Sequence, residues 1–131
     1  MVLREVQKDE QLADEELQNR HANSSLSKFT HHYTALEAGV EVGFLAADII
    51  SEHEFFVIYE IWVPSRLRRQ DIGTRILHAA EQMGRDLGYE KALLVPKTLS
   101  QEFGQDKLEA WYRGEGYSLL SNGIGQFVKD L

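Results

Sequence analysis

The chain has 131 residues, of which 43% are hydrophobic and 27% charged, and a formal net charge of −7. This balance excludes a disordered tail, and an acidic chain is a poor match for a nucleic-acid binder. The absence of cysteine excludes disulfides, thiolate metal sites and a cysteine nucleophile. No apolar run approaches the ~20 residues that cross a bilayer. We therefore expect one cytoplasmic domain over residues 1–131, with no membrane partner.

The first part of the chain predicts strands and one helix. A strand is predicted at Val2–Val6 and a helix at Asp9–His21, where leucine and alanine form a modest apolar stripe. Three further strands, Lys28–Leu36, Val40–Ile50 and Phe55–Val63, are separated by short polar turns. Such spacing favours an antiparallel meander.

The hydrophobic period changes after the third of these strands. Apolar residues on one side predict a helix at Ile72–Leu87, and a buried-type strand follows at Lys91–Val95. A second helix is predicted at Asp106–Arg113, and Tyr117–Leu120 with Gly125–Val128 as a closing hairpin. Strand, helix and strand in this order form a crossover with parallel strands. The fold class is thus α/β (α+β), a mixed sheet with an antiparallel meander followed by a βαβ crossover.

A basic loop between strand and helix indicates an anion site. The first N–H groups of a helix lack internal partners and carry the positive end of its dipole. Arg66, Arg68 and Arg69 precede the helix at 72–87, and Gly73 leaves its first turn open to a ligand. A solvated loop before a capped helix is the alternative. The glycine patterns of Walker loops, dinucleotide-binding folds and serine elbows are absent.

Two motifs in this region resemble those of one enzyme superfamily. The run Arg68-Arg69-Gln70-Asp71-Ile72-Gly73 is similar to the acyl-CoA motif Arg/Gln-x-x-Gly-x-Gly/Ala of the GNAT N-acetyltransferase superfamily. Further on, Trp111-Tyr112, followed by Gly116-Tyr117, resembles that superfamily's Phe-Tyr-x-x-x-Gly-Phe signature. The motifs occur in the superfamily's order, and the resemblance covers nearly the whole chain.

The resemblance implies acetyl-CoA as co-substrate and helices on both faces of the sheet. It assigns the pantetheine arm to the backbone of Ile61, Trp62 and Val63. Tyr112 would protonate the departing thiolate, and Gln105 would stand where the superfamily often has an asparagine. The pyrophosphate would be held by the amides of seven successive residues: Arg68, Arg69, Gln70, Asp71, Ile72, Gly73 and Thr74.

Asp71 departs from the motif, which has a glycine at this position. We expect its carboxylate to cap the following helix by accepting a bond from an N–H group. It would then lie near the pyrophosphate, where its charge is unfavourable unless Arg68 or Arg69 screens it.

Acetyl transfer to an amine also requires a group that takes a proton from the ammonium. Glu60 is the candidate, since related enzymes carry an acid just before the Ile-Trp-Val stretch, and a surface carboxylate is the alternative. The polarising donor would be the N–H of Ile61 or Val63. His53 is a second candidate base at an exposed turn.

For four histidines and one tryptophan, the sequence predicts structural roles. His31 and His32 point to opposite faces of a strand, and His21 and His78 are expected to face solvent. No metal site is predicted. Trp111 is expected to serve the core.

The leading function is an acetyl-CoA-dependent N-acetyltransferase that acts on a primary amine by direct attack. An acidic surface would attract a cationic acceptor, or would merely keep the protein in solution. A non-catalytic CoA-binding or partner-binding domain of the same fold is the alternative, and a domain that binds another anion is a third. The short region before Lys28 predicts an open groove for a small-molecule or peptide amine. The resemblance also implies a possible homodimer through the C-terminal strands.

Overall fold

The computed structural model describes residues 1–24, 27–51, 54–97, 104–121 and 123–131. These residues form a seven-stranded mixed sheet with three α-helices. Its elements in chain order are β1 (Val2–Val6), α1 (Glu15–Asn23), β2 (Thr30–Glu37), β3 (Val40–Asp48), β4 (Phe55–Trp62), α2 (Ile72–Asp86), β5 (Lys91–Leu94), α3 (Gln105–Gly114), β6 (Ser118–Leu119) and β7 (Phe127–Asp130).

The sheet order is β1-β2-β3-β4-β5-β7-β6. The first four strands are an antiparallel meander, and β4 pairs in parallel with β5, as predicted for the crossover through α2. The closing hairpin differs in position: β7 pairs with β5, so β6 lies at the edge of the sheet. The predicted turn at 121–123 includes Asn122, which lies outside the described residues.

Helices pack on both faces of the sheet. Leu45 and Ala47 of β3 belong to the larger apolar cluster, with α2 residues such as Ile76 and Leu77. Phe44 and Ala46, on the opposite face of β3, belong to a smaller cluster around Leu17 of α1. The sheet therefore has two cores, and α1 and α2 cover opposite faces.

Helix α1 starts later than predicted. The expected helix began at Asp9, but Asp14 is the N-cap, and its Oδ1 accepts a 3.0 Å hydrogen bond from the N–H of Leu17. Glu41 accepts bonds from the N–H groups of Ala13 and Asp14, which fixes the non-helical lead-in. Caps of this kind outweigh a weak apolar period.

His21 does not face solvent, contrary to expectation. Its side chain is 4% exposed, and its Nδ1 lies 2.8 Å from Nδ1 of His32 on β2. Its Nε2 lies 3.0 Å from the Gln7 carbonyl oxygen, which makes that nitrogen a donor. His21 lies one turn after Leu17, so both residues share the side of α1 that packs against the sheet. His78 is exposed, as predicted, and His31 bonds Glu5 away from His32.

A buried polar group links α2 to the C-terminal strand. Glu81 accepts a 2.8 Å hydrogen bond from the hydroxyl of Tyr117 and pairs with Nζ of Lys129 at 3.1 Å. Burial and the neighbouring carboxylate raise the pKa of Tyr117. Within the part of the chain that is described, no helix is long and apolar enough to cross a membrane.

Candidate active site

A cleft opens where β4 and β5 separate. Their described pairing runs from Phe55 opposite Lys91 to Val57 opposite Leu93. Beyond it, residues 57–63 and 93–95 line a cavity of about 840 Å³. A sheet whose strands separate exposes backbone N–H and C=O groups, which can pair with an extended ligand.

A β-bulge at Tyr59 orients the end of β4. Ala47 pairs with Ile58 and Ala46 with Glu60, so β4 carries one extra residue here. Ile58 faces the larger cluster, and after the bulge Ile61 and Val63 face it too. Trp62 turns instead to the smaller cluster, and Glu60 reaches α1 on the same face.

The N-terminus of α2 forms one end of the cleft. The first helical hydrogen bond joins the N–H of Arg75 to the carbonyl oxygen of Asp71 at 3.1 Å. The amides before Arg75 therefore have no acceptor within the helix. Ile72, Gly73 and Thr74 line the cleft, and a Cβ on Gly73 would lie 3.8 Å from the nearest described atom, Cγ2 of Val63. The protein itself does not require glycine here, and the open space leaves room for a ligand.

The cleft is cationic in an acidic chain. Its described lining contains five cationic side chains, Arg20, Arg68, Arg69, Lys97 and Lys107, against the two carboxylates of Glu60 and Asp71. The whole chain carries −7. Charge of one sign gathered in a cleft attracts ligands of the opposite sign, such as phosphates.

Of the three arginines predicted for this site, two line the cleft and one does not. Arg68 lies with its guanidinium 4.6 Å from the Trp62 ring centre, and its Nε donates to the Val63 carbonyl oxygen at 3.0 Å. Arg69 also lines the cleft, with a positive φ of 66°. Arg66 does not line it: its guanidinium pairs with Asp14, the N-cap of α1. The prediction that Arg66 adds charge to the anion site is wrong, because that cap carboxylate attracts it.

Asp71 does not cap α2 with its side chain. It precedes the helix with φ 60° and ψ 16°, a left-handed conformation, and no side-chain capping bond forms. A capping side chain normally starts from extended backbone, so the prediction fails for a conformational reason. Glycine adopts this conformation without strain, and aspartate tolerates it better than most residues. The exposed carboxylate remains at the mouth of the anion site.

Glu60 is not a surface carboxylate. It is 8% exposed and lines the cleft. Its Oε2 accepts bonds from Nε and Nη2 of Arg20, at 2.9 and 2.8 Å. Its Oε1 accepts a longer bond, 3.3 Å, from the hydroxyl of Ser24. The alternative of a solvent-exposed carboxylate is therefore excluded.

Tyr112 lies in the cleft wall that α3 provides. It is 7% exposed, and burial raises its pKa to about 12. Its ring contacts Trp111 and Tyr117, with centres 4.7 and 5.7 Å away. The phenol therefore stays protonated at neutral pH. Trp111 is half-buried, and it both packs against the core, as predicted, and lines the cleft.

Two predicted site residues do not line the cleft. The Gln105 amide donates to the carbonyl oxygen of Pro96 and to Glu109. Gln70 is exposed, and its carbonyl oxygen accepts a bond from Arg75. His53 lies outside the described residues.

Sequence reasoning missed three of the cleft's cations. Lys97 follows β5, and Lys107 lies one turn before Trp111 on α3. Arg20 lies one turn after Leu17, so it projects from the same side of α1 as that buried residue. The helical spacing of Lys107 from Trp111 could have indicated that Lys107 faces the cleft. Nothing in the local sequence indicates this for Lys97.

The model of the acetyltransferase (GNAT) family matches residues 2–103 of this chain. The chain belongs to the GNAT family. Its acetyltransferase fold agrees with the resemblance of the two motifs.

Solved GNAT-fold structures resemble the chain at low identity. An IAA acetyltransferase from Bacillus cereus ATCC 14579 superposes with a TM-score of 0.70 at 18% identity, covering 99% of both chains. A GNAT family acetyltransferase from Elizabethkingia anophelis, with acetyl-CoA bound, gives 0.68 at 14% identity over 99% of this chain and 97% of that one.

A PaiA N-acetyltransferase from Thermoplasma acidophilum, in complex with coenzyme A, gives a TM-score of 0.60 at 14% identity. It is matched over 78% of this chain, which spans only 61% of its length. No curated protein sequence matches significantly.

Proposed function

We propose that this GNAT protein is an N-acetyltransferase that moves the acetyl group of acetyl-CoA to a primary amine by direct attack. The observation that carries the proposal is the cationic cleft, where a separated strand meets the unbonded amides of α2. Coenzyme A has a polyanionic end and a long amide-bearing arm, which suit these two features. The neighbours from T. acidophilum and E. anophelis, solved with coenzyme A and acetyl-CoA, support this choice.

Different residues of the cleft bind different parts of coenzyme A. The amides of Ile72, Gly73 and Thr74 bind the pyrophosphate, and Arg68 and Arg69 add charge beside them. The backbone of residues 61–63 binds the pantetheine arm, because pairing between β4 and β5 stops short of it. Gln105 contributes less than the resemblance implies, since its side chain does not line the cleft. Gln70, which the resemblance assigned through its backbone amide, is also not among the described lining residues.

Glu60 is positioned to receive the proton of the acceptor ammonium. Arg20 occupies its Oε2, which leaves Oε1, bonded only weakly to Ser24, for the acceptor. The amine, once neutral, attacks the thioester carbonyl. An N–H of Ile61 or Val63 stabilises the negative charge that develops on the carbonyl oxygen.

Tyr112 acts on the departing sulfur mainly through a hydrogen bond. With its pKa raised to about 12 by burial, the phenol is a weaker acid than a thiol, whose pKa is about 8.5. Complete proton transfer to the thiolate would cost about 5 kcal/mol. Tyr112 therefore stabilises the thiolate by donating a hydrogen bond, and the proton released by the attacking nitrogen supplies the final protonation.

One observation favours the alternative, a CoA-binding or partner-binding domain without catalysis. Asp71 places an exposed carboxylate at the anion end of the cleft, where the acyl-CoA motif has glycine. A negative charge there weakens phosphate binding.

An acceptor screen separates the two functions. Acetyl-CoA is incubated with a panel of small amines, aminoglycosides and peptide N-termini between pH 6 and 9, and release of the free thiol is measured. Turnover with at least one amine supports the enzyme. Binding of acetyl-CoA without turnover across the panel would support the inert domain.

Domain organisation, assembly and location belong to the same proposal. We propose that residues 1–131 act as one domain in the cytoplasm, with no nucleic-acid or membrane partner and without a metal. β6 leaves the sheet open at its C-terminal edge, which supports a homodimer through the last strands. Light scattering coupled to size exclusion tests this assembly.

A further inference from the structure

An ion pair crosses from α1 to the candidate base on β4. Nε and Nη2 of Arg20 both bond Oε2 of Glu60, which is a two-donor contact on one oxygen. The Arg20 guanidinium also lies 5.0 Å from the centre of the Trp62 ring. Both charged side chains line the cleft, with the Arg20 side chain 27% exposed and that of Glu60 only 6%.

Stability alone does not account for this pair. Removing a carboxylate from water costs nearly as much as a buried ion pair returns, so such pairs contribute little net stability. Their consistent effect is to fix geometry. Here the contact determines which oxygen of Glu60 is available, because Oε2 is engaged twice and Oε1 only by the 3.3 Å bond from Ser24.

We propose that Arg20 is a positioning residue that holds Glu60 with Oε1 directed to the amine acceptor. Helix α1 then contributes to the acceptor half of the site, because Arg20 near its C-terminus and its C-cap Ser24 both contact Glu60. This inference rests on the proposed function, in which Glu60 accepts the proton.

A double-mutant cycle tests the inference, with kcat, KM for the amine and the affinity for CoA measured for each variant. We expect Glu60→Gln to lower kcat by about 100-fold. Arg20→Met should lower kcat by about 30-fold and change the pH profile of kcat/KM, with CoA affinity within about 2-fold of wild type. Arg20→Lys, which keeps a cation that can reach Oε2, should recover most of the loss.

The combined variant is decisive. If Arg20 acts through Glu60, Arg20→Met in the Glu60→Gln background lowers kcat no further. The double variant also removes both charges, so it folds even if Arg20→Met alone leaves a buried carboxylate unpaired and unfolds the protein. An equal loss of kcat from Arg20→Met in both backgrounds would show that Arg20 acts independently of Glu60, and would overturn the inference.

The control is Arg66→Met, which breaks an arginine–carboxylate pair at the other end of α1. Its kcat should match wild type, and an equal loss in this variant would reduce the Arg20 effect to general loosening of α1. A wild-type protein without turnover on any amine overturns the proposed function together with the inference. Turnover in wild type with full activity in Glu60→Gln overturns the inference and the role of Glu60 as base, and leaves the acetyltransferase activity itself standing.

Discussion

At the scale of single residues, the motif led to the right part of the chain but not to every side chain in it. Gly73, Tyr112 and Glu60 all line one cleft, the region to which the resemblance assigned them. Arg66 pairs with Asp14 instead of lining the cleft, and Asp71 has a left-handed backbone instead of capping α2 with its side chain. Both outcomes are tertiary effects. Arg20, Lys97 and Lys107 come from segments distant in sequence, and only helical spacing, of Arg20 to Leu17 and of Lys107 to Trp111, indicated two of them.

We expect Asp71 to limit the affinity for coenzyme A. Asp71→Asn removes the charge and keeps a residue that tolerates positive φ, so we expect acetyl-CoA to bind about 3-fold more tightly at low salt. Titration calorimetry at two ionic strengths measures this, and the gain should shrink at high salt. An unchanged dissociation constant at low salt would place the phosphates away from Asp71.

We expect Tyr112 to affect turnover more than binding. Tyr112→Phe keeps the ring in its buried position and removes the hydrogen bond to the leaving thiolate. We expect kcat to fall about 30-fold with the dissociation constant of acetyl-CoA nearly unchanged. Release of the free thiol, measured at fixed reaction times, gives kcat, and calorimetry gives the dissociation constant. Wild-type kcat in this variant would remove Tyr112 from the reaction.

At the scale of elements, the existence and type of the helices and strands were predictable, and their local irregularities were not. The periods of the strands and of α2 gave their approximate bounds, but the bulge at Tyr59 has no sequence signal. It results from the pairing of β4 with β3, and it places Glu60 on the face opposite Ile58. The start of α1 depended on Asp14, whose capping bond outweighs the weak apolar period before it.

Gly43 allows α2 to lie close to β3. A Cβ there would overlap Cδ1 of Ile76 and come within 3.3 Å of the Trp62 carbonyl oxygen. We expect Gly43→Ala to lower the free energy of unfolding by about 2 kcal/mol. Adding Ile76→Val, which removes Cδ1, should cost less than the sum of the two single changes.

Gly114→Ala is the matched control, since a Cβ at Gly114 has nothing within 4 Å. Denaturant unfolding should show this variant unchanged or more stable by about 0.5 kcal/mol. Strict additivity of Gly43→Ala and Ile76→Val would contradict the proposed contact.

At the scale of the whole molecule, the crossover rule predicted the parallel pairing of β4 and β5, on which the cleft depends. It did not predict that β7 lies between β5 and β6, because short C-terminal strands carry too few side chains to indicate their neighbours. Net charge was uninformative about the site, since a cationic cleft lies within an acidic chain.

Buried tyrosines predict a loss of stability in alkali. Burial raises the pKa values of Tyr33 and Tyr112 to about 12, above the ordinary value near 10. Above pH 10 the unfolded chain releases these protons while the folded chain keeps them. Stability is therefore full below pH 10 and falls through pH 12, by about 1 kcal/mol per tyrosine at pH 11.

Urea unfolding at pH 9 and pH 11 measures this loss in wild type and in Tyr112→Phe. The variant should lose about 1 kcal/mol less than wild type between the two pH values. An identical loss in both proteins would mean that Tyr112 titrates normally.

The central claim is that the amides of α2 and the separated end of β4 bind coenzyme A. Titration calorimetry of acetyl-CoA into wild type and Gly73→Glu tests it most directly, with Gly114→Glu as a control that adds the same charge outside the cleft. We expect one saturable site per chain in wild type and Gly114→Glu, and binding at least about 100-fold weaker in Gly73→Glu. Equal affinity in Gly73→Glu and wild type, or no binding to wild type, would contradict it.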